Sequence, residues 1–302
     1  MTTNKKIRKN FEEKTSALIM VAPAIILLTI FVLTPLGIAI YRSFFDYRVG
    51  AASSFVGFGN YIKTLRNANF TKSIWNVLWM SLVITVVQVI ITFLFASLLT
   101  KSKGKFSEIT RTVVYIPFLL SGIVVSVIFT LLTTYNGGFI NYFLGLFDIE
   151  PIPFNNHVVW SPISIIVPTI WIGFGYYSLV MYAGIKNVPI SYYEAAEMDG
   201  AGFFRKTISI TLPCMKNYFV LMIITLVVAN MQMFEIPLVM TNGQPANRTM
   251  VPVLYLIHAR SNGNVSDGEI TAAAILIMII ILVINSAVFT MFRTKKENRE
   301  II

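Results

Sequence analysis

Few residues within the apolar runs of this sequence carry an amide or carboxylate group that could act on another molecule. Glu235 holds the one ionisable side chain among them, and Gln232 lies three residues earlier, on the same face of a predicted helix. Gln88 lies in an earlier run, and Tyr176 and Tyr177 lie near the middle of another. Amide and carboxylate groups beside aromatic rings can hydrogen-bond a polar solute and pack against its C–H faces. These five residues are the predicted lining of a solute site.

Each of these residues also has a purely structural interpretation. Ser81, Thr85, Gln88 and Thr92 share one helical face, which fits hydrogen bonding between packed helices. The two tyrosines could equally be packed between helices, and Glu235 could be solvated near a membrane interface. An intramembrane enzyme would need paired acids, bases or nucleophiles within the runs, whereas Glu235 stands alone there.

The chain that positions these residues is strongly apolar. Of its 302 residues 56% are hydrophobic and only 13% are charged, with a mean hydropathy of +0.72, which places it in a membrane. Six runs are long enough to cross a bilayer as helices. They cover residues 17–40, 77–99, 112–132, 163–183, 218–240 and 270–292. The predicted fold is an all-α polytopic membrane protein with one six-helix domain, residues 17–292.

The basic residues indicate how the chain is oriented. Most of the 24 Lys and Arg lie in the tails, residues 1–16 and 293–302, and in the connections after the second and fourth runs. The positive-inside rule assigns these segments, and hence both termini, to the cytoplasm. Because the charge is distributed between apolar runs, the net charge of +10 does not indicate a nucleic-acid partner.

The sequence gives little support for metal binding, redox chemistry or nucleotide binding by this chain. Cys214 is the only cysteine, and His157 and His258 are isolated from it and from each other. No G-x-x-x-x-G-K-[ST] phosphate loop occurs. We therefore expect no cofactor in this chain, and any nucleotide chemistry must come from a partner.

The connection after the fourth run contains a short acidic, Ala-rich segment, "ISYYEAAEMDGAGFFRKTISITLP", at residues 190–213. Ser191 and Glu194 have the spacing of a capping box, and Gly200 can supply a left-handed helix stop. This predicts a helix of about two turns, followed by a second helix that carries Phe204. The segment could be a docking helix for a cytoplasmic partner or an amphipathic helix resting on lipid headgroups.

Its residues resemble the EAA loop of the transmembrane subunits of binding-protein-dependent ABC importers. The match comprises Glu194, Ala195 and Ala196, then Asp199 and Gly200, and finally "ITLP" at residues 210–213. The stretches "APAIILLTIFVLTPLGIAIYRSFFDY", "GFGNYIKTL" and "YIPFLLSGIVVSVIF" are similar to the same family, so the resemblance covers nearly the whole chain. It is closest to the carbohydrate-uptake type, which includes the larger maltose-transporter permease and glycerol-phosphate permeases. One departure is "TNGQPANRT", residues 241–249, where the usual three glycines are replaced.

The resemblance implies a type I importer permease fold and a function without catalysis in this chain. Two permeases, here expected to be a heterodimer with a sister subunit, would form the pathway by alternating access. Two cytoplasmic ATPase subunits would bind ATP and Mg, and an extracytoplasmic binding protein would deliver the solute. The coupling loop, residues 185–217, would contact the ATPase through Glu194, Ala195, Ala196, Asp199, Gly200 and Phe204. Membrane lipid would surround the complex in a prokaryotic cytoplasmic membrane.

The resulting expectation is the permease subunit of a sugar or oligosaccharide importer. A permease for another solute, such as a glycerol-phosphate ester, remains open. A phosphate group would favour Arg or Lys in the pathway, and none lies well inside a predicted span.

Overall fold

The computed structural model describes residues 18–48, 53–102, 104–263 and 265–292. The predicted tails 1–16 and 293–302, with their basic clusters, and residue 17 lie outside these ranges. The described chain is almost entirely helical. Its helices are α1 (Leu18–Ser43), α2 (Gly59–Arg66), α3 (Ala68–Leu99), α4 (Gly104–Tyr115), α5 (Gly122–Thr133), α6 (Phe139–Gly145), α7 (Trp160–Lys186), α8 (Ile190–Met198), α9 (Phe203–Lys206), α10 (Leu212–Cys214), α11 (Lys216–Met231), α12 (Glu235–Met240), α13 (Pro252–Asn262) and α14 (Asp267–Phe292).

Five segments of the described chain are long and apolar enough to cross a membrane. They are α1, α3, α7, the segment Lys216–Met240 that contains α11 and α12, and Asp267–Met291 of α14. A sixth candidate is the pair Gly104–Leu119 and Gly122–Thr133, two helices bent by 96°. The expected helical membrane protein is therefore found, with five candidate spans and a sixth if the bent pair is one span.

The third predicted run, 112–132, is not a single helix. After α4 the chain tightens into a 3₁₀ turn, Ile116–Leu119, that contains Pro117, and Leu120 and Ser121 are then extended. The Ser121 Oγ accepts a hydrogen bond from the Val124 N–H at 3.3 Å and so caps α5. Proline cannot continue the α-helical ladder and serine favours a new start, so the break has a local cause.

The fifth predicted run, 218–240, is interrupted between α11 and α12, at residues 232–234. Pro237 lies in the second half of this run, inside α12. A proline ring clashes with the carbonyl four residues earlier, here that of Met233, and lacks the N–H that would bond to it. A continuous helix through Met233 is therefore unfavourable, and Phe234 adopts φ −151°.

The described chain divides into two compact units, the smaller of which contains residues 18–64 and 262–276. In this unit β1 (Phe45–Asp46) pairs antiparallel with β2 (Ser54–Phe55). The Asn60 side-chain amide donates to the carbonyls of Ser43 and Phe45, each at 2.8 Å. These bonds fix the chain where α1 ends.

The larger unit contains residues 65–261 and the end of α14. Its centre is α3, which packs along α7 and α11, while α12 packs against α5 and α7. The buried core includes Met80, Ile84, Met181, Met222 and Leu226. Ser81, Thr85, Gln88 and Thr92 are also buried, so the polar face of α3 predicted from its spacing lies within the helix packing.

Candidate solute pathway and coupling surface

Helix α8 carries the EAA residues and has well-defined ends. It begins directly after Pro189, and no side chain caps it. The predicted capping box of Ser191 and Glu194 is therefore wrong. Because Pro189 precedes the helix in extended conformation, the first helical residue is Ile190, two residues earlier than the box requires, and Ser191 is already helical.

The end of α8 matches the prediction. Gly200 has φ +72°, a conformation in which glycine has no steric cost. The Gly200 N–H donates to the Glu197 carbonyl at 3.0 Å, and the Ala201 N–H donates to the Ala196 carbonyl at 2.8 Å. These two bonds form a Schellman motif, which stops the helix and reverses the chain sharply.

Helix α8 is attached to the larger unit by its inner side. The Tyr193 hydroxyl bonds to the Thr211 hydroxyl at 2.9 Å, and the Tyr193 ring packs on the buried cluster that contains Val188 and Met215. The Lys206 Nζ lies 2.6 Å from the Glu197 Oε1. The helix is thus held at both ends to the segment that follows it.

The residues predicted to contact an ATPase lie on the outer side of this attachment. Glu194, Ala195, Asp199 and Gly200 are exposed and Ala196 is half-buried. Phe204 is 78% exposed and Met198 is 89% exposed. A short, anchored helix with small and large apolar side chains facing outward can insert into a cleft on another protein.

A cavity of about 190 Å³ lies between α3, α7 and α11. Gln88 and Tyr177, two of the five predicted pathway residues, line it. Sequence reasoning did not select its other lining residues, which are Ile84, Phe118, Thr169, Ile172, Gly173, Leu226, Ala229, Asn230 and Met233. Asn230 and Thr169 add hydrogen-bonding groups, and Asn230 carried the same signal as Gln88, a polar amide in an apolar run.

Gln88 is fully buried and bridges two helices. In the orientation that satisfies its amide, the nitrogen donates to the Ile170 carbonyl at 3.3 Å and the oxygen accepts from the Phe174 N–H at 3.0 Å. These two backbone groups lie one turn apart on α7. Gln88 therefore supports α7 as well as lining the cavity.

The two tyrosines have different surroundings. Tyr177 is buried and faces the cavity beside Gly173. The Tyr176 ring stacks on Phe118, with centroids 4.8 Å apart and planes inclined by 14°. Tyr176 is thus a packing neighbour of a lining residue rather than a lining residue itself.

Gln232 and Glu235 do not share a helical face, because the break between α11 and α12 separates them. Gln232 is exposed at the end of α11, and Glu235 is the first residue of α12. The Glu235 carboxylate lies against Gly122, the first residue of α5, where a Cβ would come within 2.0 Å of its Oε2. A carboxylate at a helix N-terminus is electrostatically favourable. Neither residue lines the cavity.

Gly175 allows α7 to approach the end of α4 closely. A Cβ at this position would lie 2.1 Å from the Val114 carbonyl oxygen, a backbone atom that cannot rotate away. A Cβ at Gly173, two residues earlier, would make ordinary contacts at 3.4 Å.

The fold is that of a helical membrane protein, and comparison with known proteins specifies its family. The profile described as "Binding-protein-dependent transport system inner membrane component" matches residues 88–297. The chain belongs to this family. It is thus an integral membrane component of a binding-protein-dependent transporter and not the subunit that hydrolyses ATP.

Individual relatives cover nearly the full length of the chain. The sulfoquinovosyl glycerol transport system permease of Agrobacterium fabrum is 30% identical, over 94% of this chain and 92% of its own. The sn-glycerol-3-phosphate transport system permease of Escherichia coli O157:H7 is 26% identical, over 95% and 97%. A solved bacterial ABC transporter involved in alginate import has a chain with a TM-score of 0.80 at 22% identity, covering 95% of this chain and 98% of that one. This last likeness supports the fold.

Proposed function

We propose that this chain forms one side of the solute pathway of an ATP-driven carbohydrate importer and couples that pathway to ATP hydrolysis through α8. The observation that carries the proposal is the continuity of α7 and α8. Helix α7 carries Gly173 and Tyr177 on the cavity wall, and only three residues separate its end from the start of α8. Movement of α8 therefore acts directly on the helix that lines the cavity.

The coupling surface is the loop 185–217, placed in the cytoplasm with both termini by the positive-inside rule. Two ATPase subunits, which hold ATP and Mg, receive α8 in a surface cleft and move it as they close. The bonds from Tyr193 and Glu197 make α8 and the segment after it move together. Rigid-body displacement of such an element is a common mode of switching.

The pathway is narrow in this arrangement. A cavity of about 190 Å³ is smaller than typical ligand sites of roughly 300–1,000 Å³. A sugar therefore requires either that α7 and α11 separate or that a second permease completes the wall. Both requirements fit alternating access by a pair of permeases, which we expect to be a heterodimer of this chain and a sister subunit.

The solute class follows from the lining. Gln88, Asn230, Thr169 and Tyr177 offer hydrogen-bonding groups, Phe118 offers a ring, and no Lys or Arg is among the described residues that line the cavity. This combination suits the hydroxyls and C–H faces of a sugar better than a phosphate ester. The 30% identical sulfoquinovosyl glycerol permease supports a solute that contains a sugar, whereas the glycerol-phosphate relative keeps the phosphate ester as the alternative.

The pathway is tested by uptake in the reconstituted importer, with an extracytoplasmic binding protein supplying solute in a bacterial membrane or liposome. Substitutions at Gln88, Tyr176, Tyr177, Gln232 and Glu235, each to alanine, are compared with Tyr142→Ala, a control on exposed α6. We expect reduced uptake, or altered competition among sugars and glycerol 3-phosphate, with assembly preserved, and the largest effects at Gln88 and Tyr177, the two of the five that line the cavity. Unchanged uptake and unchanged solute preference in all five variants would contradict the proposed pathway.

The coupling surface is tested by a matched pair of glycine substitutions. Gly200→Val places a β-branched side chain at φ +72°, whereas Gly202→Val places it at φ −71°, in open space and ordinary extended backbone. We expect Gly200→Val to weaken ATPase association or to uncouple hydrolysis from uptake, and Gly202→Val to retain both. Equal coupling in the two variants would contradict the role of α8.

A further inference from the structure

A second cleft, separate from the cavity of the pathway, lies where α3 and α7 end and the coupling segment begins. Its volume is about 470 Å³. Ser97, Thr100 and Lys101 line it from α3 and the turn after it, and Ile185, Lys186 and Val188 from the end of α7. The coupling segment completes the wall. We name it the lysine cleft.

The charges of the lysine cleft are unbalanced. Three ammonium groups, those of Lys101, Lys186 and Lys206, face one carboxylate, that of Glu197. Glu197 is paired with Lys206 at 2.6 Å. Among the described residues, Lys101 and Lys186 have no carboxylate within ion-pair distance. Two positive charges of the cleft are therefore left for another anion.

Aromatic rings orient these two lysines. The Lys101 Nζ lies 4.2 Å from the centroid of Phe203, and the Lys186 Nζ lies 5.9 Å from that of Tyr182. A ring attracts an ammonium group without neutralising its charge, and it leaves the N–H donors available. The two exposed cations are thus positioned near the cleft, and their N–H groups can donate to an anion.

Part of the remaining wall is apolar, and Ser97, Thr100, Thr207 and Thr211 add hydroxyl groups to it. Ile185, Val188, Ile190 and Phe203 line the same cleft, which begins where two candidate membrane spans end. A ligand that suits this wall carries an anionic head beside hydrocarbon. Under the orientation proposed above, the cleft opens at the cytoplasmic leaflet, whose anionic phospholipids attract lysines next to the membrane.

We infer that the lysine cleft binds the phosphate of an anionic phospholipid, through Lys101 and Lys186, with the lipid chains against the apolar wall. The inference uses the orientation in the proposed function but not the transported solute. Since the cleft is bounded by α3, α7 and the coupling segment, a lipid bound there bridges the end of the membrane helices and the segment that carries α8.

Native mass spectrometry of the full chain, with the subunits that copurify with it, tests this inference. The protein is released from nanodiscs of phosphatidylcholine mixed with phosphatidylglycerol, and retained phosphatidylglycerol is counted. The variant Lys101→Gln/Lys186→Gln is compared with Lys105→Gln/Arg205→Gln, which removes two exposed cations outside the cleft. We expect roughly tenfold weaker retention in the cleft variant and parent-like retention in the control.

Two results would overturn the inference. One is equal retention in the parent and the cleft variant, or equal losses in the two double variants. The other is displacement of the lipid by inorganic phosphate alone, which would make the cleft a site for a free anion. Thermal unfolding of each variant checks that it is folded. Because the measurement involves no sugar and no ATP, failure of sugar uptake would leave its outcome intact.

Discussion

At the scale of single residues, two glycines of α7, Gly173 and Gly175, differ in their surroundings although they stand two positions apart. A Cβ on Gly175 would meet the backbone carbonyl of Val114. A Cβ on Gly173 would meet only side-chain atoms, those of Gln88 and Tyr177. A side chain can shift by a few tenths of an ångström, whereas a carbonyl within a helix cannot shift without moving the helix. Gly175 therefore sets the separation of α4 and α7, and Gly173 does not.

A matched pair of alanine substitutions tests this difference. Gly175→Ala should lower stability by about 1–3 kcal/mol because its methyl group overlaps the Val114 carbonyl. Gly173→Ala should have little effect, since new contacts and the greater helix propensity of alanine are favourable. The midpoint of thermal unfolding of the detergent-solubilised complex measures both. Equal midpoints for the two variants would show that α4 and α7 are not held at this distance.

The residue scale also shows where local sequence signals are sufficient and where they are not. Gly200 was predicted as a helix stop because only glycine adopts a left-handed conformation freely, and that rule depends on no distant contact. The Ser191 and Glu194 capping box failed because Pro189 moved the helix start, so two valid local signals competed. The solute cavity could not be delimited from sequence, since Thr169 and Phe118 join it only through the packing of α7 against its neighbours.

At the scale of elements, α8 is held by contacts other than a cap, which changes what Glu194 can do. The Glu194 carboxylate is exposed and caps no helix end. Glu194→Ala should therefore change the free energy of unfolding by no more than about 0.5 kcal/mol. ATPase association should nevertheless fall, because Glu194 lies on the outward side of α8. Ser191→Ala, which also removes a member of the absent capping box, is the control for helix stability. A loss of stability of about 1 kcal/mol in either variant would show that the capping box does form.

Interruptions of helices were the least predictable elements. Hydropathy counts apolar residues and therefore found the third and fifth runs, but it does not register the geometry at Pro117, Ser121 or Pro237. The exact ends of α5 and α12 depend on the cap at Ser121 and on the packing of α12 against α5. Helices α3 and α7, which contain no such break, have 32 and 27 residues, and hydropathy alone predicts runs of 23 and 21 residues within them, at 77–99 and 163–183.

At the scale of the whole molecule, the orientation of the chain in the membrane can be tested by labelling its cysteine. Cys214 is the only cysteine and is exposed at the end of α10, in the loop proposed to be cytoplasmic. A membrane-impermeant maleimide should label it only after the cells are permeabilised. Tyr142→Cys in a Cys214→Ser background places the thiol on exposed α6 and should be labelled in intact cells. The same sidedness for both positions would contradict six crossings.

The angle of 96° between the paired helices α4 and α5 determines what kind of displacement this part of the chain can transmit. A shift along the axis of one helix is nearly perpendicular to the axis of the other. If the α4 end is pushed lengthwise, α5 is therefore carried sideways instead of sliding along itself. The corner between the two helices thus converts a movement along the axis of α4 into a lateral movement of α5.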